Sequence, residues 1–381
     1  MEIYEVRRGD TLYSIADRTG TTAESLAYIN QLTYPNRLIT GQALIIPTVG
    51  SDQEPMNKPT IVVNGYAYPG IGNAALSAAL PYLTYLSVFS YRVLPDGSLD
   101  EPEDLRLIRS AYAASTAPLM TLTNTRETGG FSSDTASEVL NNPEARANLL
   151  NNILTTLEAK SYFGVNVDFE YLYPSDRDAY NSFLAELSEL LQPGGYVLAT
   201  ALAPKQSTDQ QGLLYEAHDY AFHGQVADYV ILMTYEWGYL YGPPMATAPV
   251  DQIRKVLDYA VTQIPPEKIL MGMPLYSYDW TLPYQRGTAA RNLSPNAALN
   301  QAVSNGASIE FDPDSQTPYY NYTDQDGKAH VVWFEDPRSQ QAKLNLVNEY
   351  GLAGVSYWNL QFLYRPAWQV LSDMFNVENV F

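Results

Sequence analysis

The stretch "GVNVDFEYL", residues 164–172, spaces three polar side chains two residues apart. In an extended segment Asn166, Asp168 and Glu170 share one face, and Val165, Val167 and Phe169 share the other. Two carboxyls this close do not both ionise freely, so one is expected to hold its proton at neutral pH. Glu170, last on the strand, is placed to protonate a leaving group. Asp168, one layer deeper, is suited to orienting the substrate or stabilising charge. That pairing is glycosidase-like. The competing reading is an exposed edge strand whose polar residues simply face water.

An architecture that points such a face inward is a parallel barrel, whose inner strand faces meet one another and whose chemistry sits at the C-terminal rim. From residue 60 onward β-rich runs alternate with helical patterns. The strand candidates are Thr60–Tyr66, Tyr85–Tyr91, Pro118–Thr123, Gly164–Leu172, Tyr196–Ala203, Tyr229–Tyr235, Ile269–Leu275 and Gly354–Asn359. Helical patterns cover Glu101–Ala114, Asp134–Leu157, Asp176–Leu191, Val250–Thr262 and Pro337–Tyr350. The alternation predicts an α/β fold, a (β/α)8 TIM barrel over 60–381. A doubly wound sheet is the runner-up, weakened because no glycine-rich phosphate loop follows the first strand. Between strand 7 and helix 7, hairpin-like text around the Asp326-Gly327 turn predicts a small α+β insertion at about 281–335.

Composition narrows the chemistry. With no cysteine, thiolate nucleophiles and Cys-based metal sites are excluded. The histidines, His218, His223 and His330, show no helical zinc spacing, so no metal and no cofactor is expected. No run approaches the roughly 18 to 20 apolar residues that cross a bilayer, so no membrane insertion is expected. Fold-like text begins almost at Met1, and no signal peptide is read there. A net charge of −20 argues against nucleic acid and anionic lipid. Residues 1–59 hold seven acidic and five basic side chains, net −2, leaving −18 on the rest.

The first segment, with its blocks "GDTLYSIA" and "NRLITGQALIIP", reads as strand, helix, helix, strand. Asp10 or Thr11 can cap the first helix and Thr22 the second. This βααβ unit, 1–48, resembles a LysM module. The resemblance implies binding of N-acetylglucosamine-containing glycans by two loops, carried here by Gly9, Asp10, Thr11 and Leu12 and by Ile39, Gly41 and Gln42. A scaffold without remaining affinity is the alternative. Residues 49–59, polar and Pro/Gly-bearing, read as a linker.

"FGVNVDFE" also resembles the Asp-x-x-Asp-x-Asp-x-Glu signature of glycoside hydrolase family 18, with "ILMTYEWG" and "GVSYWNL" as further matching blocks. With the LysM module, the chain is similar to bacterial spore cortex-lytic N-acetylglucosaminidases. The resemblance implies that Glu170 is the general acid/base and that Asp168 holds the substrate's 2-acetamido group, whose carbonyl oxygen is the nucleophile. It further implies that Tyr235 donates a hydrogen bond to that oxygen and that Trp358 floors the cleaved sugar. Phe163 and Asn166 stand in the first two Asp positions, and Glu236 stands where many members carry Asp. Asn166 is expected to hydrogen-bond Asp168 without taking its proton.

Aromatic residues bury the apolar faces of sugars. Trp237, Trp280 and Trp358 fall near predicted C-terminal strand ends, as do the further cleft candidates Asn64, Tyr66, Asn124 and Tyr276. The function expected is a retaining β-N-acetylglucosaminidase acting on peptidoglycan, with a chitinase-like hydrolase or a non-catalytic glycan-binding spore-coat protein as alternatives. The partner expected is peptidoglycan or another N-acetylglucosamine-containing glycan, met by a monomer. The expected place is the spore coat or cortex surface, associated with the cell wall.

Overall fold

The computed structural model describes residues 1–47 and 58–381, so the expected linker lies outside the described residues as far as residue 57. Eight parallel strands form a barrel: Thr60–Ala67, Tyr85–Val93, Ala117–Thr123, Gly164–Asp168, Val197–Leu202, Tyr229–Leu232, Ile269–Pro274 and Gly354–Trp358. Each pairs with the next, and the eighth returns to the first through Gly354↔Val62 and Tyr357↔Gly65. The ring closes, which removes the doubly wound alternative.

Alternation along the strands builds two cores. Ile61 and Val63 join the large cluster under the outer helices, whereas Val62 and Tyr66 join Leu119, Ala199, Ile231 and Leu270 inside the ring. Above that apolar layer runs a hydrogen-bonded polar one. Asn64 Nδ2 donates to Ser356 Oγ at 2.8 Å, and Ser87 Oγ donates to Asn64 Oδ1 at 2.8 Å. Such pairing is what lets polar groups stay buried.

Two local outcomes differ from expectation for definable reasons. The helical pattern over Asp134–Leu157 is two helices, Ser133–Asn141 and Pro143–Lys160. Pro143 cannot continue a helix, and Asn142 takes extended geometry to cap the second one through bonds from Glu144 and Ala145 N–H. The fourth and sixth strands end at Asp168 and Leu232, earlier than their apolar alternation suggests, because the ladders stop there.

The insertion is a five-stranded antiparallel sheet with one helix, Pro295–Asn305, and its first strand opens at Ser277, directly after the seventh barrel strand. Buried Asp279 pins it, accepting from Arg291, Gln301 and Tyr322 at 2.9–3.0 Å and bonding His330 at 2.8 Å. At its exit, the fully buried Lys343 ammonium sits 3.0 Å from both oxygens of Glu335, which also accepts from Ser339 Oγ.

The N-terminal module pairs strands Glu2–Glu5 and Ala43–Ile46 antiparallel around two short helices. Thr11 caps the first in a reciprocal box with Ser14, a device worth about 1 kcal/mol. The module docks on the rest of the chain. Arg338 stacks over Phe311, donates to Glu5 at 2.8 Å and donates to the Gly41 carbonyl at 3.0 Å. Ile309 N–H donates to the Thr40 carbonyl, and Gln31 bonds Leu363 and Arg365 backbone.

Candidate active site

The fourth strand carries the carboxyls. Val165, Val167 and Phe169 face the helices, with Phe169 stacked on Tyr180 and Phe183 at 5.8 and 6.1 Å. Asn166 and Asp168 therefore point into the ring, both buried, and Glu170 emerges at the mouth, half-buried. All three share the inward face.

Burial decides their charge. It pushes the Asp168 carboxyl up to about 7. Burial is also the largest cause raising Glu170 well above its usual range, followed by the negative charges of Asp168 and Glu236. Desolvation thus outranks the neighbour effect expected from spacing alone. Asp168 Oδ1 is buried without a hydrogen-bond partner among the described residues.

Asn166 departs from expectation. Its Nδ2 donates to the Tyr66 hydroxyl at 2.7 Å and to Ser87 Oγ at 3.3 Å, and no bond joins it to Asp168. Asn166 belongs to the polar layer beneath the carboxyls. Tyr66 is likewise buried, packed edge-on against Trp358 at 5.2 Å.

Tyr235, just past the sixth strand, lines the mouth with Asp168 and Glu170. Burial raises its phenol well above 10, so it is a donor at physiological pH. Gly272 on the neighbouring strand makes room for it, since a Cβ there would lie 2.7 Å from Tyr235 Cε1. Glu236 takes a left-handed conformation, φ 66°, and accepts hydrogen bonds from Tyr276 and, at 3.1 Å, Tyr278.

These residues open into a cleft of about 1260 Å³. An adjoining lobe of about 280 Å³ is lined by Glu236, Tyr276, Tyr278 and Trp358. Trp358 borders both. The other two tryptophans stand elsewhere: Trp237 packs half-buried against the barrel core, and Trp280 is buried in the insertion, donating to the Gly242 carbonyl. Asn124 does not line the cleft either; its amide bonds the Glu170 backbone. Sequence reading missed the walls supplied by Phe89, Phe131, Tyr171 and Tyr239. Phe89 was findable, because it continues the inward alternation of Tyr85 and Ser87. Arg126 is the one cation among the described residues lining the cleft, beside the acidic Glu127, Asp168, Glu170 and Glu236.

The two loops expected to bind glycan on the N-terminal module differ in exposure. Gly9 and Thr11 are exposed and Asp10 is held by Tyr4 and Arg18. Gly41 is buried, and Ile39 packs on the insertion core.

A closed parallel barrel with two carboxyls of raised pKa at its C-terminal mouth, in an aromatic-walled cleft, is the arrangement of a glycoside hydrolase. The chain belongs to the glycosyl hydrolases family 18, whose profile matches residues 126–362, and the LysM domain profile matches residues 4–47. It is 44% identical to the cortical fragment-lytic enzyme of Bacillus subtilis (strain 168) over 99% of both chains. The crystal structure of the Bacillus megaterium QM B1551 spore cortex-lytic enzyme SleL superposes with a TM-score of 0.94 at 35% identity, covering 100% of this chain and 99% of that one. A chitinase from Chromobacterium violaceum ATCC 12472 gives 0.77 at 27%, covering 83% and 99%.

Proposed function

We propose that the chain hydrolyses spore peptidoglycan as a retaining β-N-acetylglucosaminidase, cleaving after N-acetylglucosamine with the substrate's own amide as nucleophile. The observation that carries this is the disposition of the two carboxyls. Asp168 leaves the same strand face as Glu170, two residues away, so it stands beside the acid and not across the cleft from it, where an enzyme nucleophile would be needed. Glu170 protonates the glycosidic oxygen as the 2-acetamido carbonyl oxygen attacks the anomeric carbon, and the bond to the leaving sugar breaks. Asp168 accepts the acetamido N–H and steadies the cationic ring that forms. Tyr235 donates to the attacking oxygen. Glu170, now ionised, then takes a proton from the water that opens the ring, restoring acid and configuration.

Full-length likeness to a cortical fragment-lytic enzyme and to a spore cortex-lytic enzyme supports the wall polymer as substrate and the spore as its place of action. Arg126 supports it too, because the stem peptides borne by muramyl residues carry carboxylates and neutral chitin has none. The chitinase reading keeps the same mechanism and rests on the barrel likeness. Mass spectrometry of digested spore peptidoglycan tests the proposal. New reducing ends on N-acetylglucosamine, absent with Glu170→Gln, are expected; new ends on muramic acid would overturn it.

A further inference from the structure

Glu170 lies beyond the paired part of its strand. The ladder between the third and fourth strands ends at Thr123↔Asp168, so neither backbone group of Glu170 finds a strand partner on that side. A side chain takes their place. Asn124 Oδ1 accepts the Glu170 N–H at 3.0 Å, and Asn124 Nδ2 donates to the Glu170 carbonyl at 2.8 Å. The same Nδ2 donates to the Ser132 carbonyl at 3.1 Å, and Ser132 N–H returns a bond to the Asn124 carbonyl at 2.7 Å. Asn124 is fully buried, so no water competes for its amide.

Between Asn124 and Ser132 runs a tight hairpin, bridged at Thr125↔Phe131, that sets Arg126 and Phe131 on the cleft wall. One residue beyond, Ser133 Oγ donates to the Tyr171 carbonyl, where the chain turns at φ 55°. On the opposite side, His218 Nε2 donates to the Phe169 carbonyl at 2.9 Å while its Nδ1 accepts from Ala203 N–H. The backbone that carries the acid is thus clasped by side chains from both flanks.

We propose that Asn124 is a positioning residue for Glu170, extending the ladder by one side-chain amide and locking the acid to the wall hairpin. This rests on reading Glu170 as the acid. Only an amide offers one acceptor and one donor in a single plane, matching the N–H and C=O of one residue. A carboxyl does so only while protonated.

That difference supplies the test, with Glu170→Gln as reference and peptidoglycan oligosaccharide as substrate. Asn124→Ala is expected to lower kcat by about 10- to 100-fold with KM within about threefold, because the acid is misplaced and the sugar still binds. Asn124→Asp is expected to work at acid pH, where the introduced carboxyl keeps both bonds, and to fail as pH rises through its pKa. Full burial at position 124 favours the protonated form, and Asp168 and Glu170 add to this whenever they are ionised, against the charge of the exposed Arg126 on the hairpin. A merely structural role would lower the melting temperature and leave the pH profile of folded enzyme unchanged. Wild-type kcat in Asn124→Ala, or a wild-type profile in Asn124→Asp, overturns the proposal. If Asn124→Ala does not fold, Asn124→Asp measured at two pH values decides alone. An active Glu170→Gln sinks the acid assignment itself; an inactive one beside wild-type Asn124 variants sinks only the positioning role.

Discussion

Asn166 gives its amide N–H to the Tyr66 hydroxyl at 2.7 Å and none to Asp168, although the two side chains leave the same strand face two residues apart. The layer under the carboxyls is therefore neutral. Asn166→Asp would set a third carboxyl among desolvated groups. Its pKa rises on burial, so folding binds a proton that the unfolded chain releases near pH 4. Stability is then retained in acid and lost as pH climbs towards the raised value. Melting curves from pH 4 to 8 are expected to separate from wild type progressively at the alkaline end.

Asp168 carries the same burden in the native protein. With its pKa raised to about 7, its contribution falls as pH rises from about 4 to 7. Asp168→Asn removes that cost, so the melting temperature at pH 7 is expected to rise by a few degrees, with no gain at pH 4. Activity is expected to fall by about 100-fold or more. Residual turnover should lose its alkaline limb at lower pH, since Glu170 no longer feels the neighbouring charge.

Gly272 has no room for a methyl group, whose carbon would lie 2.6 Å from the Leu232 carbonyl and 2.7 Å from the Tyr235 ring. Gly272→Ala is expected to cost about 1–3 kcal/mol and to reduce kcat by displacing that phenol. Tyr235→Phe should reduce kcat alone. Thermal denaturation beside single-substrate kinetics separates the two.

Arg126→Ala is expected to raise KM several-fold for oligosaccharides that bear carboxylate-containing stem peptides and to leave neutral N-acetylglucosamine oligomers unaffected. The difference should shrink in high salt, because an exposed charge pair is screened.

The alternation at 164–170 was enough to orient the carboxyls, since a period of two fixes which side chains share a face once one face is apolar. Strand order and closure followed from repeated strand-helix pattern and length. Tryptophan positions were a poorer guide. Trp237 and Trp280 occur near strand ends in the chain, yet the first packs on the barrel core and the second inside the insertion, where Gly242 satisfies its indole. Trp280 belongs to the first strand of the insertion, not to the end of a barrel strand, and side-chain direction in the loop at Trp237 has no period to read. For the same reason Asn124 reads as a cleft residue until the end of the ladder at Asp168 reveals which backbone groups need it.

Arg338 reaches from the start of a barrel helix to Glu5 and Gly41, and Ile309 N–H holds Thr40. A module fastened in this way cannot swing on a leash. Because those contacts take up Thr40 and Gly41, a glycan meeting the module would reach the exposed loop at Gly9 and Thr11 and not the one laid against the insertion.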